Sequence, residues 1–183
     1  MGTDDLIQDL LELDKTRLDQ RIAADLAAEL ETLLAEKIDS VPELRRFLAI
    51  KGYRELRARL ELEVGGKTGT DAVRALAIGL RAFAHDRPGL SAATFRTPVT
   101  DTPEWRRAGE ALGGVVLCVF AGVGLTGEAA QHAMRILRAL VRGFVLHEIS
   151  ASFLEPLDYD KSYDLAVELF IRGLSVLQDG NQS

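Results

Sequence analysis

The sequence is short of cysteine, of long apolar runs and, in its N-terminal part, of basic residues. Cys118 is the only cysteine among 183 residues, so no internal disulfide can form. Such sparing use of cysteine is typical of proteins kept in a reducing compartment. Because Cys118 stands in an apolar run, where a thiolate is disfavoured, we expect a buried and unreactive thiol.

The second shortage concerns membranes and secretion. The longest uncharged stretch, Ala111 to Gly127, lies between Glu110 and Glu128, and it is shorter than the roughly 20 apolar residues of a membrane span. The start, MGTDDLIQDLLELDK, is acidic, whereas a secretory signal has a basic flank before its apolar region. We therefore expect a cytoplasmic protein without a membrane span.

The third shortage is one of positive charge. The first 50 residues carry twelve acidic and six basic residues, whereas the remaining 133 hold sixteen of each, so the net charge of −6 comes from the N-terminal part. Duplex DNA is a polyanion, and proteins that bind it normally present clustered lysine and arginine. The charge balance therefore argues against a DNA-binding role for this part of the chain.

Helical periodicity is what the sequence does contain. Apolar residues recur at spacings of three and four along nearly the whole chain, which is the pattern of amphipathic helices. We predict an all-α fold of eight to nine helices. The main predicted helices run from Asp4 to about Leu34, from Ser40 past Leu60, from about Asp71 to Arg87, from Pro103 through Phe120, from Glu128 to Phe153 and from about Ser162 to Gln178.

Several helix starts have recognisable capping residues. Ser40-Val-Pro-Glu43 has the form of a capping box, in which the serine accepts a hydrogen bond from a backbone N–H group. Thr102 is placed to cap a helix whose first residue is Pro103, where a missing N–H group costs nothing. Acidic residues from Asp158 onward stand at the positive end of the last predicted helix.

The glycine-rich stretch after Cys118 allows two interpretations. In the first, VVLCVF is a buried strand and Gly122–Gly127 is the phosphate-binding turn of a nucleotide-binding enzyme, with Glu148 near the place of a ribose-binding acid. In the second, the run is the back half of a core helix and the glycines end that helix. The second is favoured, because it places four residues in one helical stripe: Trp105, Leu112, Val116 and Phe120.

No set of residues with the spacing of a catalytic or metal site is found in the sequence. His85 and His132 have no partner at metal-ligand spacing, and His147-Glu148 lacks the second histidine of a zinc-protease motif, since Ala151 occupies that position. We therefore predict no enzyme activity, no cofactor and no metal.

Three passages resemble the ligand-binding and dimerisation domain of TetR-family regulators, in the subgroup with a Trp-His-Gly signature. They are RALAIGLRAFAHDRPGLSAATF (Arg74 to Phe95), LVRGFVLHEISASF (Leu140 to Phe153) and VPELRRFLAIKGYREL (Val41 to Leu56), the last of which is similar to the helix that links the family's two domains. Arg142 stands where the signature has histidine.

The resemblance implies a TetR-like helical bundle, with a small N-terminal head in residues 1–45 and a ligand-binding and dimerisation domain in residues 46–183. It implies a homodimer that pairs through the last two long helices, about 128–154 and 162–178, since each has an apolar stripe with small residues. The predicted interface residues are Leu137, Val141, Phe144, Tyr163, Val167, Phe170 and Leu174.

The resemblance also implies a pocket for a small molecule between the helices of the larger domain. A core with few aromatic residues, thinned by glycine and alanine, is compatible with such a cavity, although a filled core has the same composition. The hypothetical pocket lining is Phe95, Trp105, Leu112, Val116, Phe120 and Met134.

Family members read duplex DNA with a helix-turn-helix, and here the sequence departs from the pattern. Residues 22–30 are similar to the scaffold helix, but residues 31–38 lack the glycine and the aromatic residues of a recognition helix. No DNA-contact residue can be carried over. We therefore predict a ligand-responsive homodimeric regulator, with two alternatives left open: an engineered or degenerate helical dimer that no longer binds DNA, and a nucleotide-binding enzyme that uses Gly122–Gly127.

Overall fold

The computed structural model describes residues 24–29, 40–94, 102–149 and 157–179. Throughout these ranges the regular structure is helical, and they contain no strand. The all-α prediction is confirmed for this part of the chain, while the total of eight to nine helices stays a prediction. Residues 24–29 form a helical segment, and the bounded helices are α1 (Val41–Val64), α2 (Gly69–Asp86), α3 (Pro88–Thr94), α4 (Pro103–Ala121), α5 (Gly127–Ile149) and α6 (Tyr159–Asp179).

The helices begin where the capping residues predict. Oγ of Ser40 accepts from the backbone N–H of Glu43 at 3.3 Å and donates to the carboxylate of that residue at 3.5 Å. Oγ1 of Thr102 accepts from the backbone N–H of Trp105 at 3.3 Å, at the start of α4. Oδ1 of Asp158 accepts from two backbone N–H groups in the first turn of α6, at 2.9 and 3.2 Å. These bonds satisfy donors that a helix start leaves unpaired.

The chain divides into two compact units, and three helices contribute to both. The first unit comprises Met1–Leu56 and Phe83–Glu110, and the second comprises Arg57–Ala82 and Ala111–Ser183. The domain boundary predicted between residues 45 and 46 falls inside the continuous helix α1. That boundary stays a prediction.

Each unit has its own apolar core. In the first unit, Leu26 of segment 24–29, Leu44 and Leu48 of α1 and Leu90 of α3 are buried. In the second, α5 and α6 pack against each other, and the largest fully buried side chain is Tyr163. Among the helices that the structure describes, none is both long enough and apolar enough to cross a lipid bilayer.

Candidate functional site

The glycine-rich segment Gly122–Gly127 ends one helix and starts the next. The backbone N–H of Leu125 donates to the carbonyl of Phe120 at 3.0 Å, and that of Gly124 donates to the carbonyl of Ala121 at 3.0 Å. Gly124 has a φ of +80°. This pair of bonds around a residue with positive φ is the Schellman motif, which pairs carbonyl groups at a helix end.

The strand interpretation of VVLCVF is therefore wrong, because these residues belong to α4. A dinucleotide-binding turn follows a strand, and the helix before Gly122–Gly127 gives the segment a different geometry. Within this segment, Gly124 lies beside α6, where an added Cβ would be 3.3 Å from Nε2 of Gln178, but at Gly127 an added Cβ would meet no atom within 4 Å.

The six predicted pocket residues fall into different parts of the structure. Phe95 lies outside the described residues. Trp105 belongs to the first unit, whereas the remaining four belong to the second. Val116 and Phe120 are buried, and the Phe120 ring lies against the Phe170 ring with centroids 6.3 Å apart. The other two pocket residues, Leu112 and Met134, are half-buried.

Trp105 packs against an aromatic partner that the sequence patterns did not single out. Its ring centroid lies 6.3 Å from that of Tyr53 on α1, with the ring planes inclined by 50°. Gly109, one turn along α4, faces the same tyrosine ring. The indole Nε1 of Trp105 is buried, and no hydrogen-bond acceptor lies within reach of it among the described residues. A buried N–H donor without an acceptor is unfavourable.

Cys118 was expected to be buried, and this prediction is wrong. The side chain is exposed on α4, between the buried residues Val116 and Phe120. The apolar run does not imply a buried thiol, because α4 buries only one of its sides. Residues two positions apart lie about 200° apart around a helix, so the thiol points away from the stripe that packs.

The residues predicted for the dimer interface lie in the core of the second unit. Six of the seven are buried within the single chain, and Phe144 is half-buried with its ring centroid 5.3 Å from that of Tyr163. A side chain that is already buried within one chain has little surface left to bury against a second copy. The six buried residues are Leu137, Val141, Tyr163, Val167, Phe170 and Leu174.

The same two helices also carry apolar residues that are exposed. On α6, Leu165 is 57 % exposed, and Leu169 and Val176 are each 71 % exposed. On α5, Ile136 and Leu146 are 47 % and 50 % exposed. The α6 residues recur at spacings of four and seven, which places them on one face about 200° from the buried stripe. We call these five residues the α5–α6 outer face.

An ion-pair cluster centred on Arg81 joins three helices of the second unit. The guanidinium of Arg81 on α2 binds the carboxylate of Glu148 on α5 through two hydrogen bonds of 2.5 and 3.1 Å. It also lies 2.8 Å from the carboxylate of Asp160 at the start of α6. The side chain of Glu148 is 4 % exposed, so this residue is a core ion-pair partner and not a ribose ligand.

The hydroxyl of Tyr163 completes this arrangement. It donates to the backbone carbonyl of Ala77 on α2 at 2.7 Å, and the Arg81 guanidinium carbon lies 4.7 Å from the centre of the tyrosine ring. Burial raises the pKa of the Tyr163 hydroxyl well above its ordinary value, and the nearby Glu148 carboxylate adds to the rise while Arg81 opposes it. The phenol therefore stays neutral and acts as a donor.

Within the described ranges, no group of three or more histidine, cysteine, aspartate or glutamate side chains is arranged to hold a metal ion. Where carboxylates do gather, as around Arg87 and Arg81, they bind guanidinium groups.

Comparison with known proteins places this arrangement in context. A family model described as tetracyclin repressor-like, C-terminal domain, matches residues 73–170. An uncharacterised helix-turn-helix-type transcriptional regulator of Mycobacterium tuberculosis is 30 % identical over 162 residues, which are 86 % of this chain and 74 % of that protein. A solved structure of a protein of unknown function from Rhodococcus sp. RHA1 has a TM-score of 0.64 at 20 % identity, over 94 % of this chain and 95 % of that one, and supports the fold alone.

Proposed function

Because the chain belongs to the TetR family of transcriptional regulators, we propose that it is a ligand-responsive regulator that works as a homodimer. The observation that carries this proposal is the family match over residues 73–170, which runs from α2 into α6. The relative from Mycobacterium tuberculosis, itself described as a helix-turn-helix-type regulator, supports the same conclusion over most of the chain.

We place the dimer contact on the α5–α6 outer face. Exposed apolar side chains on adjacent helices mark interaction sites more often than scattered surface residues do. A stable dimer buries about 800 Å² on each partner, and two long helices with apolar outer faces can provide a contact of that size. The proposal keeps the two helices predicted from the sequence and changes the side of each helix that pairs.

We place the polar anchor of the ligand at Trp105. The indole Nε1 lacks an acceptor among the described residues, so a ligand that carries a carbonyl or another hydrogen-bond acceptor could satisfy it. The neighbouring Tyr53 ring offers an apolar, aromatic surface to the same ligand. The expected ligand class is a small aromatic molecule with a hydrogen-bond acceptor.

Ligand binding can be followed through thermal stability and fluorescence, because Trp105 is the only tryptophan. A panel of aromatic carbonyl compounds is expected to include members that raise Tm and change the tryptophan emission. Trp105→Phe keeps an aromatic ring and removes the N–H donor, so the gain in Tm should shrink in this variant. An equal gain in Tm in both proteins would show that the ligand binds but that the Trp105 N–H group is not its polar anchor.

A second candidate function, a helical dimer that does not bind DNA, is favoured by the twelve acidic residues among the first 50. The two are separated by an electrophoretic mobility shift assay at low salt, with DNA from upstream of the chain's own gene. Regulator binding should weaken steeply as salt rises, because basic residues release counterions from DNA. No shift at the lowest salt, for a protein that is dimeric and folded, would favour the second candidate.

A further inference from the structure

Five charged side chains of the first unit form one connected cluster, which joins three separate parts of the chain. Asp25 and Glu29 come from segment 24–29, Lys51 and Glu55 come from α1, and Arg87 stands between α2 and α3. We call this set the Arg87 cluster. The sequence periodicity gave no indication of it, because its members are up to 62 residues apart.

Arg87 is the centre of the cluster. Its Nε donates to Oδ1 of Asp25 at 3.2 Å, its Nη1 donates to Oε2 of Glu55 at 2.6 Å, and its Nη2 contacts the carboxylate of Glu29. The Lys51 ammonium contacts the other oxygen of Glu29 and lies 3.9 Å from Glu55. The side chain of Glu29 is only 8 % exposed, so these two cations stabilise a carboxylate that is largely shielded from solvent.

Asp25 ties the same segment directly to the start of α3. Its Oδ2 accepts hydrogen bonds from the backbone N–H groups of Gly89 at 2.8 Å and of Leu90 at 3.2 Å. A Cβ added to Gly89 would lie 2.7 Å from Cγ of Leu26, so only glycine allows the segment to come this close. Leu26 itself is buried. Segment 24–29 is therefore held by ion pairs, backbone hydrogen bonds and apolar packing together.

The charges of the cluster make the contact of segment 24–29 sensitive to the position of the Arg87 side chain. Among the described side chains of the cluster, three carboxylates contact two cations, so displacement of the guanidinium would remove one of these two cations. Burial raises the pKa of Glu55, with Lys51 opposing the rise and Asp25 adding to it. Like charges that lose their common partner in a partly buried site repel each other strongly.

We propose that the Arg87 cluster is a releasable latch, which holds segment 24–29 on α1 and α3 and opens when the α2–α3 junction moves. Arg87 lies between the last residue of α2 and Pro88, the first residue of α3, so its guanidinium follows any change in that junction. Coupling of the latch to ligand binding rests on the proposed function. The latch itself does not, and it can be examined without DNA or ligand.

The test is hydrogen–deuterium exchange of the full chain, followed by mass spectrometry of peptides that cover segment 24–29. In Arg87→Gln we expect exchange in this segment to be at least about tenfold faster than in the wild type, with peptides of α5 and α6 unchanged. Arg54→Gln is the matched control, because it makes the same charge change in an ion pair that is exposed on both sides. It should leave segment 24–29 unchanged.

Two further variants separate a latch from a static ion cluster. Adding Glu29→Gln to Arg87→Gln removes one of the unbalanced acids, and it should slow the exchange again. Pro88→Gly touches no charge but loosens the junction, and it should speed exchange in segment 24–29 by less than Arg87→Gln does. If Pro88→Gly has no effect while Arg87→Gln does, the junction does not control the cluster and the latch is overturned.

The whole proposal is overturned if segment 24–29 of the Arg87→Gln protein exchanges at the same rate as in the wild type while the variant keeps its helical circular dichroism. If that variant loses its helical circular dichroism, Asp25→Ala replaces it, since this change removes the Asp25 contacts with Arg87, Gly89 and Leu90. It is judged by the same criterion. A failed DNA shift assay combined with fast exchange in the variants would contradict the proposed function and support the latch.

Discussion

At the scale of single residues, Gly124 and Gly114 show how one residue type can serve opposite purposes. Gly124 has a φ of +80° and ends α4, whereas Gly114 lies within α4, where an added Cβ would meet no atom within 4 Å. A side chain in the left-handed region costs about 1–2 kcal/mol, and glycine inside a helix costs about 0.5–1 kcal/mol relative to alanine.

The two substitutions to alanine should therefore change stability in opposite directions. Gly124→Ala should lower the free energy of unfolding by about 1–2 kcal/mol, and Gly114→Ala should raise it by about 0.5–1 kcal/mol. Urea denaturation at one protein concentration measures both, since the stability of the proposed dimer would depend on concentration. A loss of stability in both variants would show that the helix end is not what distinguishes these glycines.

The buried hydroxyl of Tyr163 predicts a specific response to alkaline pH. Its folded-state pKa is raised from an ordinary value of 10.0 by burial, so below pH 10 the phenol is protonated in the folded and unfolded states alike. Above pH 10 only the unfolded state loses the proton, and stability should fall by up to about 1.4 kcal/mol per pH unit.

Tyr163→Phe removes this proton and the hydrogen bond to Ala77. At neutral pH the variant should be less stable by about 1 kcal/mol, and above pH 10 its stability should fall less steeply than that of the wild type. Thermal or urea unfolding from pH 8 to 11 measures the two slopes. Equal slopes would mean that the other tyrosines account for the alkaline loss.

At the scale of elements, the Arg81–Glu148 pair holds α2 against α5. Arg81→Met should lower the free energy of unfolding by about 3–5 kcal/mol, because it leaves a buried carboxylate without its guanidinium partner. Arg81→Met with Glu148→Leu should recover most of this loss, since the buried carboxylate is then removed as well. If the single variant loses less than about 1 kcal/mol, the pair behaves like a surface ion pair.

Element boundaries could be predicted from the sequence because they depend on local chemistry. Ser40, Thr102 and Pro103 marked helix starts, and the glycines after Ala121 marked a helix end; each of these signals acts within about five residues. The end of α2 near Arg87 was found in the same way.

The packing faces could not be predicted, because α6 has two apolar stripes. One contains Tyr163 and Val167, and the other contains Leu165 and Leu169. Periodicity shows that both exist, but it does not say which stripe meets the rest of the same chain. The pairing of Trp105 with Tyr53 was hidden for a related reason, since it joins residues that are far apart in the sequence.

At the scale of the whole molecule, the α5–α6 outer face predicts self-association that charge should abolish. Leu165→Glu with Leu169→Glu should be monomeric at concentrations where the wild type is dimeric, because the variant would bury two carboxylates at the contact. Leu62→Glu is the matched control, since Leu62 is 80 % exposed on α1. Sedimentation velocity distinguishes monomer from dimer. If the double variant is still dimeric, the dimer contact does not lie on the α5–α6 outer face.

The exposed position of Cys118 has a practical consequence for the proposed homodimer. As the only cysteine, and an accessible one, it would accept one nitroxide label on each protomer without any other substitution. A symmetric pair then has a single label-to-label separation, which pulsed electron paramagnetic resonance can measure with and without ligand. Labelling this one native thiol on α4 would thereby measure the distance between the protomers of the proposed homodimer.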